Sequence, residues 1–306
     1  MPFPSGPGRA GGEERRPGHR HRTRLRVRRY ADTDVNPGTT TDPSPILGAG
    51  RLITKEMKVG TGDLPSPSRV NKAGTRLRHW LEGQEQDPST LQAGIDVIDA
   101  FRASHQRPMN AASMGLRSIV RTVGCRSPEV SQRLKRWESL TSKLLTQRTL
   151  ALSRMQDLAG CRAVLDDMDE IYRVWKRLET NRPVLYVSDY IARPKPSGYR
   201  GVHVVVEYGS PDGNYPPRPV EIQLRTRVMH QWAISIEDMN ARLSEQFRTH
   251  EFDLKRGIGP AEVLDVFSVT SEVMAAAESH QAPSADMIGR LKAAQKAFTE
   301  YLRRMS

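Results

Sequence analysis

Residues 189–226 read DYIARPKPSGYRGVHVVVEYGSPDGNYPPRPVEIQLRT, and this stretch decides between a sheet and a helical bundle. Over residues 220–226 the side chains alternate: Val220, Ile222, Leu224 and Thr226 fall on one side of a strand, Glu221, Gln223 and Arg225 on the other. Residues 202–208 form a valine-rich run, and Pro211, Asp212, Gly213 and Asn214 mark a turn before the alternating strand. A strand with its apolar side turned to a core and an acid, an amide and a guanidinium on its other side is a working surface. Upstream, the KPSGYR turn carries Lys195, Tyr199 and Arg200. Cations and an aromatic plane beside a carboxylate suit a ligand that bears phosphates and a base.

Working outward, the sheet continues at residues 184–191 and 161–165, with a helix over 169–179 between them. Residues 227–246, 261–279 and 284–304 read as helices that follow the sheet. Before the sheet, the spacing predicts helices over 68–84, 91–105, 109–123 and 128–146, with Ser89 or Thr90 as the cap of the second. The order is helices, then a small sheet with one inserted helix, then helices: α+β rather than doubly wound α/β. Residues 1–65 are rich in Arg, Pro and Gly, with nine arginines between Arg9 and Arg29. Their composition is that of a disordered basic arm. We therefore expect an arm over 1–65, a central domain over 66–250 and a C-terminal helical segment over 251–306.

Composition narrows the class. The chain has 306 residues, 37% hydrophobic, with a formal net charge of +12. Such a charge favours polyanionic partners such as nucleotides or RNA. Two cysteines, Cys125 and Cys161, are too few and too far apart for a disulfide framework or a zinc knuckle, which points to a reduced, cytoplasmic compartment. No apolar run reaches the roughly 20 residues of a membrane helix, and the N-terminus lacks the apolar stretch of a secretory signal.

Two further motifs accompany the opening stretch. In SRMQDLAGCR (residues 153–162), Asp157 precedes a strand, Gly160 permits close backbone approach, and Arg154 and Arg162 flank them. Alone, this pattern describes a loop aspartate capping a turn better than it describes a metal ligand. In RLKRWESLTSK (residues 133–143), Arg133, Lys135, Ser139 and Lys143 recur at helical spacing, which fits one wall of a phosphate channel or an ordinary solvated helix face. In the KPSGYR turn, Gly198 presents Tyr199 and Arg200, and His203 follows from the next strand. Glu221 is placed to ligate a metal or to take a proton from a hydroxyl nucleophile.

Together, DYIxxPKxxGYRxxH followed by ExQxRT resembles the synthetase domain of RelA/SpoT-type alarmone synthetases. Those enzymes transfer pyrophosphate from ATP to the ribose 3′-hydroxyl of GDP or GTP. The resemblance implies a nucleotidyltransferase-like mixed sheet of about five strands flanked by helices. It assigns Asp157 and Glu221 to Mg²⁺ and catalysis. Arg133 and Arg162 would sandwich adenine, and Lys135, Lys143 and Arg154 would hold ATP phosphates. Tyr199 would stack on guanine, with Lys195, Arg200, His203, Gln223 and Arg225 around the acceptor. None of the eight histidines is followed by Asp, so the His-Asp signature of the family's hydrolase domain is absent, which implies a small, synthetase-only member. The Tyr-Lys that often closes the helix after the last strand is replaced by NARLSEQFR. That departure, with Arg117, Arg121, Arg126, Arg133, Lys135 and Arg136 and the basic arm, keeps the 3′ end of tRNA open as an alternative acceptor. A catalytically silent nucleotide- or RNA-binding module is the third reading. A homo-oligomer is compatible with all three.

Overall fold

Every residue of Val202–Tyr208 other than His203 and Glu207 is buried, so this strand can sit only inside a sheet that is covered. The computed structural model describes residues 64–247, 249 and 252–305. The expected basic arm, apart from residues 64 and 65, lies outside them. The sheet contains β1 (Glu129–Leu134), β2 (Ala159–Leu165), β3 (Val184–Asp189), β4 (Val202–Tyr208) and β5 (Arg218–Thr226) in the order β1-β2-β5-β4-β3. β2 and β5 run parallel and the other neighbours are antiparallel. The expected mixed sheet of five strands is present.

The period of two sorts the strands into faces. Ala159, Cys161, Ala163, Leu165, Val202, Val204, Val206, Val220, Ile222 and Leu224 form the apolar face. It packs on α3 (Gln106–Thr122) through Met109, Ala112, Leu116 and Ile119, and on α5 (Met168–Asn181) through Ile171, Val174 and Leu178. The opposite face carries Arg133, Gly160, Arg162, His203, Glu221, Gln223 and Arg225, brought side by side by the pairings Arg133↔Gly160↔Glu221 and Arg162↔Gln223↔His203.

Two further apolar clusters flank that polar face. One joins α1 (Pro67–Leu81), α2 (Pro88–Ala103) and α4 (Trp137–Thr146) with Leu152, Met155 and Leu158. The other joins α6 (Arg227–Gln246) to Leu254, which lies in a 3₁₀ turn (Leu254–Arg256), and to α7 (Ala261–Glu278); Tyr199 lies within it. α8 (Ala285–Met305) completes the described chain. Helix starts follow local chemistry: Ser66, Asp87, Asp167 and Thr226 each accept a backbone N–H of the first turn, and Pro67 and Pro88 occupy first positions that need no N–H.

Two expectations are corrected. Residues 128–146 do not form one helix: Glu129–Leu134 is the edge strand β1, and the helix starts only at Trp137. Its Val130 and Leu134 turn to the core while Glu129, Ser131 and Arg133 are exposed. Six ladder partners on β2 decide its conformation rather than local propensity. Asp87, not Ser89 or Thr90, caps α2, and both hydroxyls donate back to its carboxylate.

Candidate active site

Asp157 sits between the 3₁₀ turn Leu152–Arg154 and β2, three residues before the Gly160↔Glu221 pairing. Its Oδ2 accepts from Lys135 Nζ at 2.9 Å and Lys143 Nζ at 3.0 Å. Its Oδ1 is buried and has no hydrogen-bond partner. Burial opposes charge on this carboxyl, but the two ammonium groups hold it below the ordinary aspartate range. Lys135 follows β1 and Lys143 lies on α4, so two elements converge on one oxygen.

On β5, Glu221 Oε1 accepts from His203 Nδ1 at 2.9 Å and Oε2 from Gln223 Nε2 at 2.6 Å. Gln223 Oε1 in turn accepts from Arg225 Nη2 at 2.9 Å. Arg225 also donates to the Tyr199 hydroxyl through Nε at 3.1 Å and Nη2 at 2.8 Å. The hydroxyl, with both lone pairs so occupied, gives its own proton to His203 Nε2 at 2.6 Å. That fixes the imidazole as the Nδ1–H tautomer and closes a five-residue ring. Burial works against the charged form of Glu221, yet His203, Gln223 and Lys143 more than offset it, and the carboxyl lies far below the usual range. Burial pushes the His203 imidazole down in spite of Glu221. Glu221 is therefore a carboxylate and His203 a neutral donor near pH 7.

Glu221 raises the proton affinity of Asp157 against the two lysines, and Lys143 acts on both carboxylates; two carboxylates and one ammonium share a small volume. Arg162 lies on the same face, its Nε buried without a partner. Burial and then Arg225 push its guanidinium down, with Glu237 opposing and Arg133 adding. Among the described residues no group of three His, Cys, Asp or Glu side chains forms a metal cage. The chemistry instead offers an open carboxylate oxygen, a second carboxylate and an excess of cations, which suits a hard cation that keeps phosphate oxygens among its ligands.

Not every expected residue joins this group. Tyr199 is not presented on an exposed turn: it is 0% exposed. Its hydroxyl is held in the ring described above, and Lys255 Nζ sits over its ring at 4.8 Å from the centroid. Arg200 turns away, donating to Ile191 O and to Ser271 Oγ of α7. It fastens the turn to the C-terminal helices because Gly198, at φ +88°, lies against Ser268 and Ser271. Lys195 packs over the Tyr190 ring at 4.6 Å, and Arg154 is exposed on its turn. Sequence reasoning missed Tyr190, which meets Tyr199 and His203 edge-on, and the pair Lys255–Glu237, at 2.7 Å. Tyr190 is visible in the motif itself; Lys255 carries no local signal, since only the fold of the C-terminal segment brings it here.

Comparison with known proteins bears on this geometry. Residues 132–241 match the model of a region found in RelA / SpoT proteins. Over those residues the chain is similar to the RelA/SpoT family. It is 32% identical over 109 residues to GTP pyrophosphokinase YwaC of Bacillus subtilis, covering 33% of this chain and 52% of that protein. It is 27% identical over 191 residues to the chloroplastic GTP diphosphokinase CRSH2 of rice, covering 61% and 32%. The chain thus spans about a third to a half of the length of these curated relatives. Among solved structures, small alarmone synthetase 1 of Bacillus subtilis bound to its product pppGpp aligns at TM-score 0.50 and 25% identity, over 60% of this chain and 93% of that one. The sheet is that of the RelA/SpoT synthetases, the nucleotidyltransferase-like arrangement that the motifs imply. The matched region ends before Lys255 and α7.

Proposed function

We propose that the chain is a pyrophosphokinase that transfers the β,γ-pyrophosphate of ATP to the ribose 3′-hydroxyl of GDP or GTP, making (p)ppGpp. The observation that carries this reading is the union, across Gly160↔Glu221, of the Lys135–Asp157–Lys143 cluster with the Glu221–His203 pair. In it, the 3′-oxygen attacks the β-phosphorus, the bond from that phosphorus to the oxygen bridging α and β breaks, and AMP leaves with that oxygen. Glu221 accepts the proton of the attacking hydroxyl. Lys135, Lys143 and Arg154 take the donor phosphates, Arg133 and Arg162 the adenine. His203, Gln223 and Arg225 orient Glu221 from the acceptor side, with Tyr199 bracing them from beneath and Lys195 at the entrance. Asp157, through Oδ1, and Glu221 would hold Mg²⁺, which supplies charge neutralisation for the two polyphosphates. Catalysis of this kind rests on positioning and electrostatics, which the closed ring provides.

The alternative acceptor, the 3′ end of tRNA, draws on Arg117, Arg121 and Arg126, which the fold does not gather at the site, whereas Arg133 and Lys135 belong to the donor side. Arg126 is engaged by Asp167 and Glu170, and Arg117 and Arg121 lie on α3, the helix packed on the opposite face of the sheet. A silent module would have no use for Asp157 and Glu221 in one small volume. The test incubates the full chain with β,γ-labelled ATP, Mg²⁺ and GDP, GTP or deacylated tRNA. Label on GDP or GTP is expected; label on tRNA alone, or on none, overturns the reading. Glu221→Gln should lower transfer by about 10²–10⁴-fold while nucleotide binding persists.

A further inference from the structure

The cations on the acceptor side outnumber the acids that face them. Lys255 comes from the 3₁₀ turn Leu254–Arg256, beyond the matched family region. Its Nζ bonds Glu237 Oε1 on α6 at 2.7 Å. Burial, then Arg225, lowers its amine to about 8, with Glu237 opposing and Arg162 adding to the effect. Glu237 is also the carboxylate that acts on Arg162, and both Arg225 and Arg133 act on Glu237. Lys255 Nζ and the Arg225 guanidinium both lie over the Tyr199 ring, 4.8 and 5.0 Å from its centroid, and of the two only Lys255 has a carboxylate partner among the described residues, Glu237. Arg162 contributes a buried N–H with no partner. A partly desolvated cluster with surplus positive charge and an unused donor is organised for an anion.

The position of the turn is itself fixed. Ser197 Oγ donates to Lys255 O at 2.8 Å, and Leu254 N donates to Asn240 Oδ1 at 2.8 Å. Leu254 is fully buried and Gly257 takes the left-handed conformation that ends the turn. The C-terminal segment is thus tied to the KPSGYR turn on one side and to α6 on the other, and Lys255 is delivered to Tyr199 and Arg225 by backbone contacts. A solvated lysine needs none of this.

We infer that Lys255 is a further acceptor-binding residue, which with Arg225 holds a phosphate group of the nucleoside polyphosphate acceptor. This rests on the acceptor reading of Arg225 given above. The ammonium lies over Tyr199 and turns from Glu237 to the incoming phosphate, so the C-terminal segment adds a cation to the acceptor side. The chemistry selects acceptors by their phosphates rather than by their base.

Calorimetric binding of GDP and of guanosine to the full chain tests this, with wild type, Lys255→Ala and Lys255→Arg compared. Loss of one charge-assisted contact should weaken GDP binding by about 10- to 100-fold in Lys255→Ala. Lys255→Arg should recover much of it, and guanosine and a non-hydrolysable ATP analogue should bind all three alike. Equal GDP affinity in wild type and Lys255→Ala overturns the role of Lys255 and leaves the pyrophosphokinase reading standing. Tighter GDP binding in Lys255→Ala also overturns it, since the lysine would then be a plug over Tyr199. If the wild type binds no GDP and labels no guanosine nucleotide, the acceptor reading falls and this inference with it. Circular dichroism and the ATP-analogue affinity report whether each variant is folded.

Discussion

Tyr199 concentrates the chemistry of the site in one hydroxyl. It accepts two donors from Arg225 and gives its proton to His203, and through them it sets the tautomer that faces Glu221. Two roles for this residue separate cleanly on one substitution. If Tyr199 serves only as a flat surface for a base, Tyr199→Phe keeps the ring and changes little. If its hydroxyl braces the network, Tyr199→Phe leaves Arg225 and His203 with buried, unpaired groups. The second outcome is expected: a loss of about 1–3 kcal/mol, read as a fall in melting temperature, and a drop in kcat larger than any rise in the acceptor KM. An unchanged melting temperature with unchanged kcat would show the ring of hydrogen bonds to be dispensable. Glu221→Gln is a subtler change than it looks, because both carboxylate oxygens already accept hydrogen bonds. The new amide must face one donor with its NH₂, so Gln223 has to flip, and Gln223→Glu should not rescue the charge lost at Glu221.

At the level of elements, the KPSGYR turn is held by contact rather than by sequence propensity alone. A Cβ at Gly198 would stand 2.9 Å from Ser268 Cα and 2.9 Å from Ser271 Cβ of α7. The left-handed φ alone makes Gly198→Ala cost about 1–2 kcal/mol, and the backbone clash adds to it. The expected result is a lower urea midpoint together with faster proteolysis of the C-terminal helices; proteolysis unchanged from wild type would mean that α7 is anchored elsewhere. Much of this layer was legible in the sequence. β4 and β5 announce themselves through valine runs and strict alternation, and α6 begins at Arg227 as its Thr226 cap dictates. β1 was not legible: an edge strand with Ser131, Gln132 and Arg133 outward has a polar pattern that also satisfies helical spacing. Only its ladder with β2 decides the matter. The exposure of Tyr199 was misjudged for a similar reason. A turn rich in Pro and Gly reads as surface, and the helices that bury it, α6 and α7, begin 28 and 62 residues downstream of Tyr199. Asp157, Glu221, Lys135 and Lys143 could be named from motif chemistry, whereas Lys255 could not, because its neighbours are set by tertiary packing alone.

For the molecule as a whole, three apolar clusters must keep their mutual placement so that the α4 side, carrying Lys143, faces the β5 side, carrying Glu221. The junction between the N-terminal helices and the sheet contains a titratable switch in stability, His105. It is 0% exposed, its Nδ1 donates to Phe101 O at 2.9 Å, and its Nε2 is buried without a partner. Its ring meets Phe101 edge-on, while Arg218 from the start of β5 lies over Phe101 and donates to Ser104 Oγ. Burial lowers the imidazole from 6.5 to about 4, and the Arg218 charge adds to this against the hydrogen bond to Phe101 O. Since the folded value lies below the unfolded one, the unfolded chain binds the extra proton between them. The full contribution is present above about pH 6.5 and disappears as the pH falls towards 4. A shift of this size corresponds to a loss on the order of 3 kcal/mol. Urea unfolding of the wild type and of His105→Gln, followed from pH 7.5 to pH 4, isolates the effect, where these pH values are about one unit beyond and level with the two ends of the window. Glutamine keeps an N–H for Phe101 O and does not titrate. Across the window the wild type should lose on the order of 3 kcal/mol more than the variant, and the two should run parallel above it. Curves that stay parallel through the whole range would place the acid sensitivity of this fold in other groups and take His105 out of the junction's energetics.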